Sequence, residues 1–173
     1  MSTQTSPVTE TLRDGSHVTI RPIDRMDADL ERHFIEDLSP LSRRFRFLCT
    51  MNSPSDALLK QLTDIDNAHD AALVALAGEA NAQKEVGVAR FSGTPDGKAE
   101  IAVAVSDDWQ HKGLGTVLMK SLIQIARGRG VTALYSVDAA ANTPMRDLAA
   151  YLGFECKTDP QDATQVIHTL KLN

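Results

Sequence analysis

Cysteine is scarce in this sequence: Cys49 and Cys156 are the only two among 173 residues, and they form no Cys-x-x-Cys pair. A chain this long buries a core without covalent staples, so the pattern suits a reducing compartment and excludes a disulfide framework. Histidine is equally thin. His17, His33, His69, His111 and His168 lie far apart, no spacing typical of zinc is visible, and no metal is expected. No apolar run reaches 18 residues, and the opening MSTQTSPVTET lacks the apolar centre of a signal peptide. A cytoplasmic address without membrane attachment is the expectation. An excess of basic charge is missing too: the net charge is −5, against the basic surface of a general nucleic-acid binder, so no nucleic acid is expected as partner. The local cluster SRRFRF, Ser42 to Phe47, reads as an exposed helix face, since no aromatic stacking platform accompanies it.

What is present is periodicity. HVTIRPI, His17 to Ile23, alternates as a half-buried strand does. Met26, Leu30, Phe34, Ile35 and Leu38 recur at spacings of three and four, which predicts an amphipathic helix opened by Asp24. SPLSRRFRFL predicts a short second helix with Ser39 as cap and Pro40 in the first turn. SPSDALLKQLTDI predicts a third, with Ser53 and Pro54 in the same roles. The period then changes to that of strands. AALVALAGE and EVGVARFSG flank a hairpin connection, GTPDGK makes a second turn, and AEIAVAV follows as a third consecutive strand. Leu114, Val117, Leu118, Leu122, Ile125 and Ala126 form one helical stripe ended by Gly128 and Gly130. TALYSVDA reads as a strand, TPMRDLAAYLG as a helix and TQVIHTLKL as a last strand. No repeat or linker divides this order. One α+β domain over residues 15–173 is expected, behind a disordered tail over 1–14.

The stretch SDDWQHKGLGTVLM, Ser106 to Met119, lies between the AEIAVAV strand and the long helix. It is no dinucleotide fingerprint, because Leu118 stands where the third glycine belongs, and no P-loop, because GxxxxGK is absent. Two glycines alone fit a plain strand-to-helix turn. QHKGLG, however, resembles the Q/R-x-x-G-x-G/A signature of the Gcn5-related N-acetyltransferases, the GNAT family. The resemblance extends over nearly the whole chain, since the element order is the family's. NTPMRDLAAYLGF, Asn142 to Phe154, is similar to a second family block that ends in Gly-Phe. DGSHVTIRPIDRMDADLERHFIEDLSPLSRRFRF resembles, more narrowly, the GNAT domain of bacterial protein lysine acetyltransferases.

The resemblance implies a central mixed, mostly antiparallel sheet flanked by helices, and acetyl-coenzyme A as cosubstrate. It implies that Val103, Ala104 and Val105 splay from the next strand at a bulge and offer backbone groups to the pantetheine arm. The turn itself suits a pyrophosphate. Gly113 and Gly115 have no Cβ to block approach, and the amides of His111, Lys112, Leu114 and Thr116 join theirs at a helix N-terminus aided by its dipole. Gln110 opens the signature. Lys112 either adds a point charge or is a solvated surface lysine.

Acetyl transfer needs a neutral amine. A lysine ε-amine with pKa near 10.4 is protonated at pH 7, and freeing its lone pair costs roughly 4 to 5 kcal/mol. Glu100 is the one carboxylate inside the AEIAVAV strand, where a charge wants a reason. It matches the place where protein-acetylating members resemble one another in carrying a glutamate base; the other reading is that it begins the strand and faces solvent. The family's tyrosine acid, four residues before the glycine of Gly-Phe, is replaced by Ala149. Tyr151 lies about 200° around the helix from that position and should face elsewhere. Asn142 is either the family's cofactor-contacting asparagine or a helix cap. Three functions stay open: acetylation of a protein lysine, acetylation of a small amine or polyamine, and a coenzyme A-binding module without turnover. The chain is expected to act as monomer or homodimer.

Overall fold

The computed structural model describes residues 6–172. The chain runs β1 (Val8–Thr11), β2 (His17–Pro22), α1 (Ala28–Asp37), α2 (Pro40–Phe47), α3 (Asp56–Thr63), β3 (Asp70–Ala77), β4 (Lys84–Gly93) and β5 (Ala99–Val105). It continues through α4 (Leu114–Gly128), β6 (Ala133–Ala139), α5 (Thr143–Tyr151), β7 (Glu155–Asp159) and β8 (Asp162–Lys171). The strands form one sheet in the order β1-β2-β3-β4-β5-β6-β8-β7. All neighbours are antiparallel except β5 and β6. This is the α+β domain that the element order predicts, with the mixed and mostly antiparallel sheet flanked by helices that the resemblance implies.

The sequence of β3, DAALVALA, explains why helices cover both faces. Ala71, Leu73 and Ala75 enter one core, with α4 and α5; Ala72, Val74 and Leu76 enter the other, with α1 and α3. Alternation at period two with apolar residues on both sides leaves no face for water. From α4, Leu114, Leu118, Met119 and Leu122 are each 1% exposed or less. Each such side chain contributes about 1.5–3 kcal/mol by burial. The helix lies so near β4 that a Cβ on Gly87 would stand 3.0 Å from Leu118 Cδ1 and 3.1 Å from Leu114 Cδ2. An alanine there would require both leucine tips to give way by a few tenths of an ångström.

A bulge in β4 has a second consequence. Ala75 pairs with Gly87 and Leu76 with Glu85, so Val86 is the extra residue. Val86 thereby stays in the α4 core, while Glu85 is buried on the side of Glu31 from α1. Among the described residues neither Glu85 oxygen has a hydrogen-bond partner. Burial first, and then the neighbouring Glu31, hold the Glu85 carboxyl well above the usual carboxylate range.

Three local expectations are corrected. β1 occupies part of the stretch expected as a disordered tail, pairing with β2 from Val8–Ile20 to Thr11–His17, and Leu12 is buried just after it. Residues 1–5 of that stretch lie outside the described residues. β7 is a second unexpected strand. Both are edge strands, largely exposed, so VTET and ECKTD carry no apolar alternation to announce them. Finally, α3 is capped by Ser55, whose Oγ accepts from Leu58 N at 3.1 Å, and not by Ser53, whose Oγ donates to Glu36 Oε1 at 2.7 Å. Among the described residues no helix is long and apolar enough to cross a membrane.

Candidate active site

The one parallel contact in the sheet is also the shortest. β5 and β6 pair only at Ala99–Leu134 and Glu100–Tyr135. Beyond those pairs the strands part, and Val103, Ala104 and Val105 on one side and Val137 and Asp138 on the other line a cleft of about 1320 Å³. The expected splay is therefore present. The expected bulge is elsewhere: β5 pairs β4 without interruption from Ala99 to Val105, and the irregularity lies between β4 and β3.

One end of the cleft is the glycine turn. His111 and Gly113 both adopt left-handed backbone, at φ 64° and 88°. For Gly113 this costs nothing, whereas His111 holds a conformation that costs a side-chain-bearing residue about 1–2 kcal/mol. They flank Lys112, which is not left-handed, and such alternation turns successive N–H groups to one side, the geometry of an anion nest. Ser39, Ser55 and Asn142 each cap the first turn of α2, α3 and α5 with a side-chain oxygen. α4 follows its N-cap residue Gly113 and, like α1, has no side-chain cap among the described residues. Its open first turn lines the cleft through Leu114, Gly115, Thr116 and Val117, at the positive end of a 15-residue helix. Such a turn fits an anionic group.

The other end holds the carboxylates. Glu100 is exposed at the last β5–β6 pair and lines the cleft. Asp138, which the sequence reading passed over, lines it from β6. Ser136 Oγ donates to Asp138 Oδ2 at 2.5 Å, and the fully buried His168 brings Nε2 within 3.7 Å of the same oxygen. Burial raises the Asp138 carboxyl above its ordinary value and lowers the His168 imidazole below its own. The signal for Asp138 was the one that singled out Glu100, a lone acid in a mostly apolar strand. α2 closes this end. Asp107 accepts from Ser39 N and Ser42 Oγ, both at 3.0 Å, and so ties α2 to the loop after β5. Its Arg46 is half-buried in the cleft, not spread on an exposed helix face, and feels Arg90, Glu31, Glu100 and Asp138. Burial, then Arg90, pushes the Arg46 guanidinium down to about 10.

The cleft thus brings together Glu100, Val103 to Val105, Gln110 to Thr116 and Asn142. Several have partners within the protein. Gln110 Nε2 donates to Val105 O at 3.1 Å, pinning the turn to the end of β5. Lys112 Nζ is 2.9 Å from Asp14 Oδ2 and 4.7 Å from the Trp109 ring centre. Asn142 Oδ1 accepts from Met145 N at 3.2 Å, the capping role. Ala149 is 1% exposed in the core, while Tyr151 is 69% exposed at the rim with Lys120 Nζ 5.5 Å from its ring centre. Among the described residues no group of His, Cys, Asp or Glu is placed to hold a metal.

Residues 35–154 match the model of the acetyltransferase (GNAT) family. The chain belongs to that family and is an N-acetyltransferase. An acetyltransferase of Pseudomonas aeruginosa is 49% identical over 164 residues, which span 94% of this chain and 88% of that protein. Acetyltransferase Pat of Mycolicibacterium smegmatis is 31% identical over 154 residues; these are 86% of this chain but 44% of the longer relative. The crystal structure of the GNAT domain of S. lividans PAT superposes with a TM-score of 0.87 at 25% identity, over 96% of this chain and 97% of that one. Members of the family generally use acetyl-coenzyme A as the acyl donor.

Proposed function

We propose that the protein transfers acetyl from acetyl-coenzyme A to the ε-amine of a protein lysine, with Glu100 as general base. The observation that carries this reading is the continuity of one cleft, lined at one end by the uncapped first turn of α4 and at the other by Glu100. The donor, when bound, supplies the acetyl group as a thioester. The amides of the α4 turn and the left-handed residues before it hold its pyrophosphate. The free edge of β5 at Val103 to Val105 receives the pantetheine arm. Asn142 caps α5 through Oδ1, which leaves its amide NH₂ for the same arm. Glu100 takes a proton from the incoming ammonium, so that the neutral nitrogen attacks the carbonyl carbon. No tyrosine stands ready at Ala149, and a thiolate with pKa near 8.5 leaves without one.

Arg46 favours a lysine over a polyamine. Its guanidinium shares the acceptor end with Glu100 and Asp138, and a polycation threading that end would meet it. A lysine brings a single charge on an apolar stem, and the exposed Leu41 and Leu48 at the rim suit a protein surface. The experiment is an incubation with acetyl-coenzyme A and a panel of denatured proteins, lysine peptides and polyamines, read by mass spectrometry. Acetyl-lysine in the proteins or peptides is expected. Acetylation confined to polyamines or another small amine would overturn the lysine assignment.

A further inference from the structure

The β1–β2 hairpin reaches the glycine turn, and three contacts hold it there. Leu12 is 5% exposed within the α4 core. Arg13 N donates to Lys112 O at 3.2 Å. Asp14 Oδ2 meets Lys112 Nζ at 2.9 Å, while Asp14 Oδ1 accepts from Ser16 Oγ at 2.5 Å. Those bonds from Ser16 and Lys112 hold the Asp14 carboxyl well below the usual carboxylate range, so it is an ionised partner for Lys112. Between the anchors, the Arg13 side chain lies directly over Gly113. A Cβ on that glycine would stand 3.0 Å from Arg13 Nε and 3.4 Å from Nη2. Arg13 is exposed, lines the cleft, and has no carboxylate within ion-pair distance among the described residues.

The two cations at the turn are thus placed differently. Lys112, inside the motif, is occupied by Asp14 and the Trp109 ring. Arg13, about a hundred positions earlier, presents an unpaired planar fork beside an uncapped helix start. A guanidinium suits a phosphate better than an ammonium does, because it can donate two parallel hydrogen bonds. We infer that Arg13 is a phosphate ligand of coenzyme A, closing over the pyrophosphate held at the first turn of α4. The inference rests on the reading of this cleft as the acetyl-coenzyme A site.

The test is calorimetric titration of the wild type, Arg13→Ala, Arg13→Lys and Lys112→Ala with coenzyme A, dephospho-coenzyme A and pantetheine. Thermal unfolding establishes that each variant is folded. Arg13→Ala is expected to weaken coenzyme A and dephospho-coenzyme A alike, by about 10- to 100-fold, the worth of a charge-assisted hydrogen bond. Pantetheine binding should be unchanged, Arg13→Lys should recover part of the loss, and Lys112→Ala should lose less than Arg13→Ala. Affinity within twofold of wild type for the folded Arg13→Ala protein would overturn the inference. So would a loss confined to coenzyme A, which would move Arg13 to the 3′-phosphate, or an equal loss for pantetheine, which would make its role structural. A wild-type protein that binds none of the three ligands overturns the reading of the cleft itself, and Arg13 with it.

Discussion

Replacing Glu100 by glutamine keeps the shape of the side chain and removes its ability to take a proton. The structure separates the consequences for stability from those for rate. Glu100 is exposed, and its register partners Ser92 and Tyr135 hold the strand through their backbones. A surface substitution of this kind changes stability by about 0.5 kcal/mol or less, which moves the melting temperature by roughly 2 °C at most in a domain this size. The rate has a ceiling and a floor. Freeing a lysine amine at pH 7 costs roughly 4 to 5 kcal/mol, so a base can be worth no more than about 3,000-fold, and a positioned base is typically worth at least about 100-fold. Glu100→Gln should therefore lower kcat/KM at pH 7 by about 10²- to 10³-fold with coenzyme A affinity retained. One unit below the amine's own pKa, near pH 9.4, only about 1.4 kcal/mol of that cost is left, and the defect should shrink to about tenfold. Acetylation of a lysine peptide followed by mass spectrometry between pH 7 and 9.4 measures both numbers. A folded variant within threefold of wild type at pH 7 would refute the base. A defect of the same size at pH 9.4 would show that Glu100 positions the substrate and does not accept its proton.

Gly113→Ala should lower stability by about 1–2 kcal/mol, since its φ of 88° is left-handed, and should displace Arg13 from the turn. Calorimetry should show weaker coenzyme A binding, and an unchanged affinity with unchanged stability would contradict the geometry of the turn. Tyr151→Phe should leave kcat within about threefold, because the hydroxyl belongs to an exposed rim residue; a 100-fold loss in a folded variant would make it the missing acid. Glu85→Gln tests the buried pair on the opposite face. An unfolded glutamate titrates near 4.3, whereas burial and Glu31 raise the folded value, so the unfolded chain releases its proton first and stability falls as pH rises from about 4.3 through the folded pKa. Urea unfolding at pH 5 and pH 8 should show a drop for the wild type that is smaller in Glu85→Gln; equal drops would mean that Glu85 stays ionised when folded.

The elements that bury apolar side chains were the legible ones. β3 alternates between two cores, and α4 shows a stripe that the fold buries almost completely. The elements that escaped reading were those that bury little. β1 and β7 sit at the two edges of the sheet and are held by backbone pairing to β2 and β8, an interaction that leaves no mark on side-chain pattern. The cap of α3 was misplaced by two residues for a related reason: Ser53 and Ser55 look alike in sequence, and only the neighbouring Glu36 decides which hydroxyl is free to cap.

The candidate site divides along the same line, between what is local in the chain and what topology assembles. The strand, the turn from Gln110 to Gly115 and the helix after it are contiguous, so the family motif they carry could be recognised in the sequence, and their expected chemistry followed from that resemblance. Arg13, Arg46 and Asp138 come from a hairpin, a short helix and a strand that the motif does not touch. Arg13 reaches the turn because Leu12 is anchored in the α4 core, and Arg46 lines the same cleft as Glu100 on a helix that Asp107 ties down through residues 65 and 68 positions earlier. Asp138 faces the same cleft because β5 and β6, parallel neighbours joined by the whole of α4, part after two pairs. Lys112 shows how this changes the chemistry and not only the inventory. Its motif left it open between a charge for the phosphate and a solvated lysine; a distant aspartate pairs with it instead, and the side chain over Gly113 is an arginine.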